Sequence, residues 1–341
     1  MAFRLVMTVR LPFVQDEEEC RKIGAELFPI PCDTEDELIA ATQDADAVLT
    51  NSPQPYTRKV ISTLNKCKLI HNIGTGHDGI DIQAATDYGI CVSFPGDYCV
   101  DEVAEHAVAL ILACARKVVR LDRVIRGLKT SIEHDSAAQP EIRKIWPPMF
   151  QIKGQTLGLI GFGRIGRLVV SKAKGFGFRV IAFDPYLPSN VFKESGAESV
   201  TLDKLLSESD FISVHAALTE ENRHLLGIEQ FKKMKPTAYL INCARGDIAD
   251  EESLYTALAN GYIAGAGIDV VTGESLSLEH RLRKLENVIL TGHSAWYSEH
   301  SMSELKRRAY EHLGQVFRGE WPTWFLNPEV KEKFLERWRK T

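Results

Sequence analysis

Residues 157–184 read LGLIGFGRIGRLVVSKAKGFGFRVIAFD. A short apolar run leads into Gly161, Gly163 and Gly166, a helix-length stretch covers 164–174, and a second apolar run, 180–183, ends on Asp184. Three spaced glycines alone are a weak signal. In the order strand, glycine loop, helix, strand, acid they are a strong one, because each part has its own physical task. Gly161 permits the tight turn from strand to helix, Gly163 lets a pyrophosphate approach the backbone, and Gly166 lets the helix pack close to the sheet. The helix N-terminus turns unbonded N–H groups and a partial positive charge toward phosphate. Asp184 stands where a carboxylate can accept from both hydroxyls of an adenosine ribose and repel a 2′-phosphate, so the stretch predicts NAD in preference to NADP.

The same alternation of short apolar runs and amphipathic stretches continues in both directions, which is the pattern of an α/β protein with parallel sheets. Strands are predicted at 156–160, 179–183, 211–214, 238–242, 264–269 and 288–291, and earlier in the chain at 4–9, 47–50, 68–72 and 90–94. Helices are predicted at 34–43, 58–65 and 299–317, the first opened by the S/T-x-x-E pair Thr34 and Glu37. Residues 101–128 read as one long helix whose first half (Val103, Ala104, Ala107, Val108, Leu110, Ile111, Ala113) is apolar on nearly every side. Such a helix must be covered all round, by a core or by a second subunit. Residues 129–153, with Pro140, Pro147 and Pro148, read as a long irregular connection.

Composition narrows the function. A chain of 341 residues suits two domains. Its net charge of −5 offers no basic stripe for nucleic acid. The most apolar long run, 103–119, carries Glu105, His106, Arg116 and Lys117, which excludes a membrane span. The opening MAFRLVMTVR, with Arg4 and Arg10, reads as a strand and not as a signal peptide. Seven cysteines without a CxxC pair, and ten histidines without metal-ligand spacing, point to thiols in a reducing, cytoplasmic setting and to no metal.

Polar groups follow the apolar strands of the second half at the ends where an open parallel sheet has its ligand crevice. Arg245 comes after 238–243, Asp269 ends 264–269 with Glu274 five residues on, and His293 follows 288–291. Singly, each has a bland explanation as a cap, a solvated charge or a satisfied histidine. Together they match the reduction of a 2-oxo acid. An Arg fork can hold the carboxylate and polarise the adjacent carbonyl. A histidine can give the proton that the developing alkoxide needs, and a carboxylate behind it favours the protonated ring. Glu274 is the candidate for that carboxylate.

In these segments the chain resembles the D-isomer-specific 2-hydroxyacid dehydrogenases over residues 49–328. The resemblance rests, in order, on NIGTGHDGID (72–81), VAEH (103–106), Gly161–Gly166 with Asp184, NCARG (242–246) with Asp250, GIDV (267–270) and LTGH (290–293). It implies two Rossmann-like α/β domains with a cleft between them. One is a flavodoxin-like substrate domain, discontinuous over 1–100 and 299–341, and the other an NAD-binding doubly wound parallel sheet over 101–298. It implies catalytic roles for Arg245, Glu274 and His293, with Glu274 paired to His293. Cofactor contacts would come from Gly161, Gly163, Arg164, Ile165, Gly166, Asp184, His215, Cys243, Ala244, Arg245, Asp269 and His293, with Asp269 on the nicotinamide carboxamide. Substrate contacts would come from the backbone of Thr75 and Gly76 and from Arg245, His293 and Trp296. A cytoplasmic homodimer acting on a small 2-oxo or 2-hydroxy acid, with no nucleic acid or membrane partner, is the expected whole.

The sequence also departs from the family's usual pattern. Gly292 stands where Pro usually precedes the histidine, and Ala217 stands where Pro is common after His215. The segment HSAWY (293–297) is similar to the branch that contains the C-terminal-binding co-repressors and their bacterial enzyme relatives. An NAD-gated binding protein of that type, or a formate- or phosphite-type dehydrogenase, is therefore the alternative reading. Glu274 argues against the formate type, which places an amide behind its histidine.

Overall fold

In the computed structural model, residues 2–51, 54–127, 143–274 and 276–338 are described, Glu274 by its backbone alone. The chain divides into two units, Met1–Tyr98 with Ser298–Thr341, and Cys99–Tyr297. Each is built on one parallel sheet.

The first unit carries β1 (Phe3–Met7), β2 (Ala25–Pro29), β3 (Ala47–Thr50), β4 (Leu69–Asn72) and β5 (Cys91–Ser93), in the order β2-β1-β3-β4-β5. That is the flavodoxin-like order, with its switch point between β1 and β3. β3, β4 and β5 are buried along their whole length, as continuous apolar runs covered on both faces must be. The capping box at Thr34 forms: its hydroxyl accepts from the Glu37 N–H, and the Glu37 carboxylate accepts from the Thr34 N–H. The C-terminal segment belongs to this unit because Asn327 completes the edge of β5, accepting from Val92 N–H at 2.9 Å and donating to the Ile90 carbonyl at 2.9 Å.

The second unit carries β6 (Thr156–Ile160), β7 (Arg179–Phe183), β8 (Glu198–Ser199), β9 (Phe211–Val214), β10 (Tyr239–Asn242), β11 (Gly265–Ile268) and β12 (Val288–Leu290). Their order is β12-β11-β10-β9-β6-β7-β8, doubly wound, with the switch point between β6 and β9. The helix Val100–Ala115 lies on this sheet so closely that a Cβ on Gly267 would meet Leu110 at 3.1 Å.

One expectation needs correction. The predicted helix 101–128 is broken: Val100–Ala115 and Val118–Ile125 are separate helices, because Lys117 takes left-handed backbone (φ 49°) and its ammonium donates to the Ile145 carbonyl at 2.8 Å. Along Val100–Ala115, Val103, Ala104, Ala107, Leu110 and Ile111 are buried within the chain itself, while Val108, Leu112 and Ala113 are only partly covered. The short edge strands β2 and β8 carry too little apolar alternation to be read in advance, and the terminal helix Lys331–Trp338 is a further element beyond those expected. Most of the 129–153 connection lies outside the described residues. All seven cysteines are buried and free, and among the described residues no helix is long and apolar enough to cross a membrane.

Candidate active site

The glycine loop leaves β6 at the switch point. Gly161 has φ 87°, and a Cβ there would sit 2.4 Å from the Ala216 nitrogen, so only glycine makes this turn. A Cβ on Gly166 would lie 2.6 Å from the Gly161 carbonyl oxygen, so the helix Arg164–Ala173 packs directly on the loop. Over Gly163, by contrast, nothing lies within 4 Å of a Cβ. Two glycines are there for closeness and the third leaves open space beside a helix N-terminus, which fits a pyrophosphate.

Asp184 follows β7 and is tied to this loop. Its Oδ2 accepts from Phe162 N–H at 2.9 Å and its Oδ1 from Tyr186 N–H at 3.0 Å. Each carboxylate oxygen keeps lone pairs for a diol. The Tyr186 hydroxyl donates to Glu221 at 2.7 Å, placing a second acid near the same end. His215, just after β9, pairs with the Ser213 hydroxyl through Nε2 at 2.8 Å, while its buried Nδ1 has no partner among the described residues. Burial pulls its pKa down to about 4, so the ring is neutral at ordinary pH.

Arg245 is aimed by Asn242, the last residue of β10. The Asn242 amide donates to the Arg245 carbonyl (2.9 Å) and its Oδ1 accepts from Ala244 N–H (3.0 Å). This staple closes the turn 242–245. Gly246 lets the turn pass the neighbouring segment, since a Cβ there would lie 2.2 Å from the Val271 carbonyl carbon. The Arg245 guanidinium is half-buried and donates from Nη1 to the Ala244 carbonyl (2.8 Å). Asp250 caps the helix Glu251–Ala259 through Ser253 N–H.

His293 sits in a turn after β12 to which Asp269 is bonded several times. That carboxylate is 2% exposed. It accepts from the Thr291 hydroxyl (2.5 Å), Ser294 N–H (2.9 Å) and Ala295 N–H (3.1 Å), and its main-chain carbonyl accepts from His293 N–H (2.6 Å). Gly292 (φ 63°) and His293 (φ 58°) are both left-handed. A proline could not take the Gly292 conformation, because its ring fixes φ near −65°. Trp296 packs edge-on to Tyr297 with centroids 5.7 Å apart. The side chain of Glu274, the expected partner of His293, lies outside the described residues; its backbone ends the short turn Thr272–Glu274.

In the first unit, Thr75 and Gly76 follow β4 on a loop that Asn72 staples, donating to the carbonyls of Gly74 (2.8 Å) and Gly76 (2.7 Å). No described residue accepts from the N–H of Thr75 or Gly76. In the second unit, Arg245, Asp269 and His293 all follow the C-terminal ends of the adjacent strands β10, β11 and β12, and the glycine loop follows that of β6. The two asparagines, Thr291 and His106 were not singled out as functional from sequence. An amide at the end of a buried strand before a glycine-bearing turn is the signal that could have found Asn72 and Asn242. Among the described residues no group of three or more His, Cys, Asp or Glu is placed to hold a metal.

Comparison with known proteins gives the family. The family model for the NAD binding domain of D-isomer specific 2-hydroxyacid dehydrogenases matches residues 108–295. A glyoxylate reductase of Korarchaeum cryptofilum is 38% identical over 86% of this chain and 86% of its own. Among solved structures, the PH0520 protein of Pyrococcus horikoshii superposes with a TM-score of 0.80 at 28% identity, covering 99% of both chains. The apo-structure of D-lactate dehydrogenase from Escherichia coli gives 0.74 at 30% identity, covering 95% of this chain and 99% of that one. The chain belongs to the D-isomer specific 2-hydroxyacid dehydrogenase family. It is an NAD-dependent dehydrogenase of that family.

Proposed function

We propose that the protein reduces a small 2-oxo acid, of about the size of glyoxylate, to its D-2-hydroxy acid. The observation that carries this reading is the shared edge of the second sheet, where the stapled Arg245 turn, the Asp269-held His293 turn and the open glycine loop stand together. The glyoxylate reductase relative supports the substrate size.

NADH held at the glycine loop and Asp184 would supply the hydride that the carbonyl carbon takes up. Arg245 forks across the substrate carboxylate and carbonyl oxygen, orienting the acid and drawing charge onto that oxygen. His293 gives its ring proton to the oxygen and is left neutral. Glu274 favours the charged ring beforehand. In the first unit, the N–H groups of Thr75 and Gly76 receive a carboxylate, the task of a substrate domain. Trp296 lines the substrate pocket. Asp184 accepts the ribose hydroxyls and, with Glu221 nearby, disfavours a 2′-phosphate. Free buried thiols suit a cytoplasmic protein. The exposed apolar side chains Val118, Ile125, Trp146 and Phe150 of the second unit support a homodimer formed there.

The test is a panel of 2-oxo acids assayed by loss of NADH absorbance, repeated with NADPH. Glyoxylate or a near relative is expected to turn over with NADH far better than with NADPH, and Asp184→Ala to narrow that gap. A panel without turnover contradicts the reading.

A further inference from the structure

His106 lies in the second turn of the helix Val100–Ala115, whose neighbouring turn is seated on Gly267 of β11. Its Nε2 is 2.9 Å from the Thr291 hydroxyl and 3.6 Å from Asp269 Oδ1. A threonine hydroxyl has one proton to give. Thr291 spends it on the Asp269 carboxylate, which as an ion can only accept. The hydroxyl oxygen must therefore accept from His106, and His106 must carry a proton on Nε2 whether the ring is neutral or charged. The direction of every bond in the chain is then fixed: His106 to Thr291, Thr291 to Asp269, with Ser294 and Ala295 also donating to Asp269.

At the end of this chain stands a histidine in an unfavourable backbone conformation. A non-glycine residue held left-handed costs about 1–3 kcal/mol and persists only where its surroundings over-determine it. His293 is so held, next to a glycine that adds freedom and no restraint. We propose that His106 is a positioning residue for His293, anchoring the Thr291–Asp269 pair to a packed helix so that the left-handed turn presents the histidine in one place. The proposal rests on the reading of His293 as proton donor. His106 itself touches neither substrate nor hydride.

A positioning residue acts on the reacting geometry and not on cofactor affinity. His106→Leu, which fills the space without a donor, is expected to lower kcat for glyoxylate about 10- to 100-fold, as sub-ångström to ångström misplacements do. The dissociation constant for NADH is expected to stay within about twofold of the parent, because the glycine loop and Asp184 are untouched. His106→Gln, which returns a donor near the Nε2 position, is expected to recover most of the loss. Thr291→Val breaks the same chain one bond further on, so in the double variant with His106→Leu the two losses are expected not to add. Should His106→Leu fail to fold, His106→Gln and Thr291→Val carry the test, the first near parental kcat and the second well below it. A His106→Leu enzyme with parental kcat, a His106→Gln enzyme as slow as His106→Leu, or full additivity with Thr291→Val overturns the proposal. A parent that reduces no 2-oxo acid fails the proposed function instead, so the two failures are told apart in one assay.

Discussion

Two turns in this molecule are made by the same device and put to different use. In the first unit Asn72 ends β4 and staples the loop that carries Thr75 and Gly76. In the second, Asn242 ends β10 and staples the turn that carries Arg245. Asn242 is satisfied on both sides of its amide. Asn72 donates twice, and its buried Oδ1 has no partner among the described residues. The first staple gathers two carbonyls and leaves the N–H groups of Thr75 and Gly76 without a described acceptor; the second fixes the backbone that carries a charged side chain. Under the proposed function, the difference would make one loop a binding loop and the other a holder of a reacting group.

Variants of the second turn and its neighbour should therefore strike the rate hardest. His293→Ala is expected to lower kcat about 10²–10⁴-fold, the usual cost of losing a general acid, with NADH binding kept, as stopped-flow binding and steady-state assays would show. Asn242→Ala leaves the Ala244 N–H and the Arg245 carbonyl without their partner. Each costs about 1–3 kcal/mol where it stays buried, and the loosened Arg245 turn should lower kcat/KM roughly 100-fold. A parental kcat/KM for Asn242→Ala would remove the staple from the account.

The first turn should respond in binding. Asn72→Ala is expected to raise KM for the 2-oxo acid about tenfold while changing kcat little, since the N–H groups it arranges meet the carboxylate alike before and during the reaction. An equal fall in kcat would erase the distinction between the turns.

What the sequence made legible follows from the same contrast. The glycine loop could be read residue by residue, because its three positions answer to local sterics: a left-handed turn, a close helix and an open space. Arg245 and His293 could be placed at strand ends, because β10 and β12 are continuous apolar runs that stop abruptly. The bonds that aim them could not. Asp269 is expected on the cofactor, but periodicity does not reveal that its carboxylate also accepts from Thr291, Ser294 and Ala295. His106 reaches Thr291 across 185 positions of chain. Nothing in periodicity reports which side chains meet at such a separation. The break at Lys117 was missed for a related reason: a left-handed lysine carries no glycine or proline to announce it.

The smallest expected effect concerns stability and separates the units again. In the first unit His71 and His312 are buried with ring centroids 5.4 Å apart, and burial holds both pKa values below the ordinary 6.5, that of His312 at about 4. Between those values the unfolded chain binds protons that the folded one refuses. The stability they permit is present above pH 6.5 and is lost as pH falls toward 4. Each ring contributes a slope of at most about 1.4 kcal/mol per pH unit. Urea unfolding at several pH values should show that slope, and His312→Phe should flatten it; an unchanged slope would mean that His312 is protonated in the fold.

The most direct measurement is the handedness of the product. With NADH and a 2-oxo acid whose reduction creates a chiral centre, such as hydroxypyruvate or pyruvate, chiral chromatography of the product is predicted to show the D-2-hydroxy acid alone, and His293→Ala to make almost none. An L or racemic product, or NADH oxidation that survives in His293→Ala at the parental rate, would contradict the account.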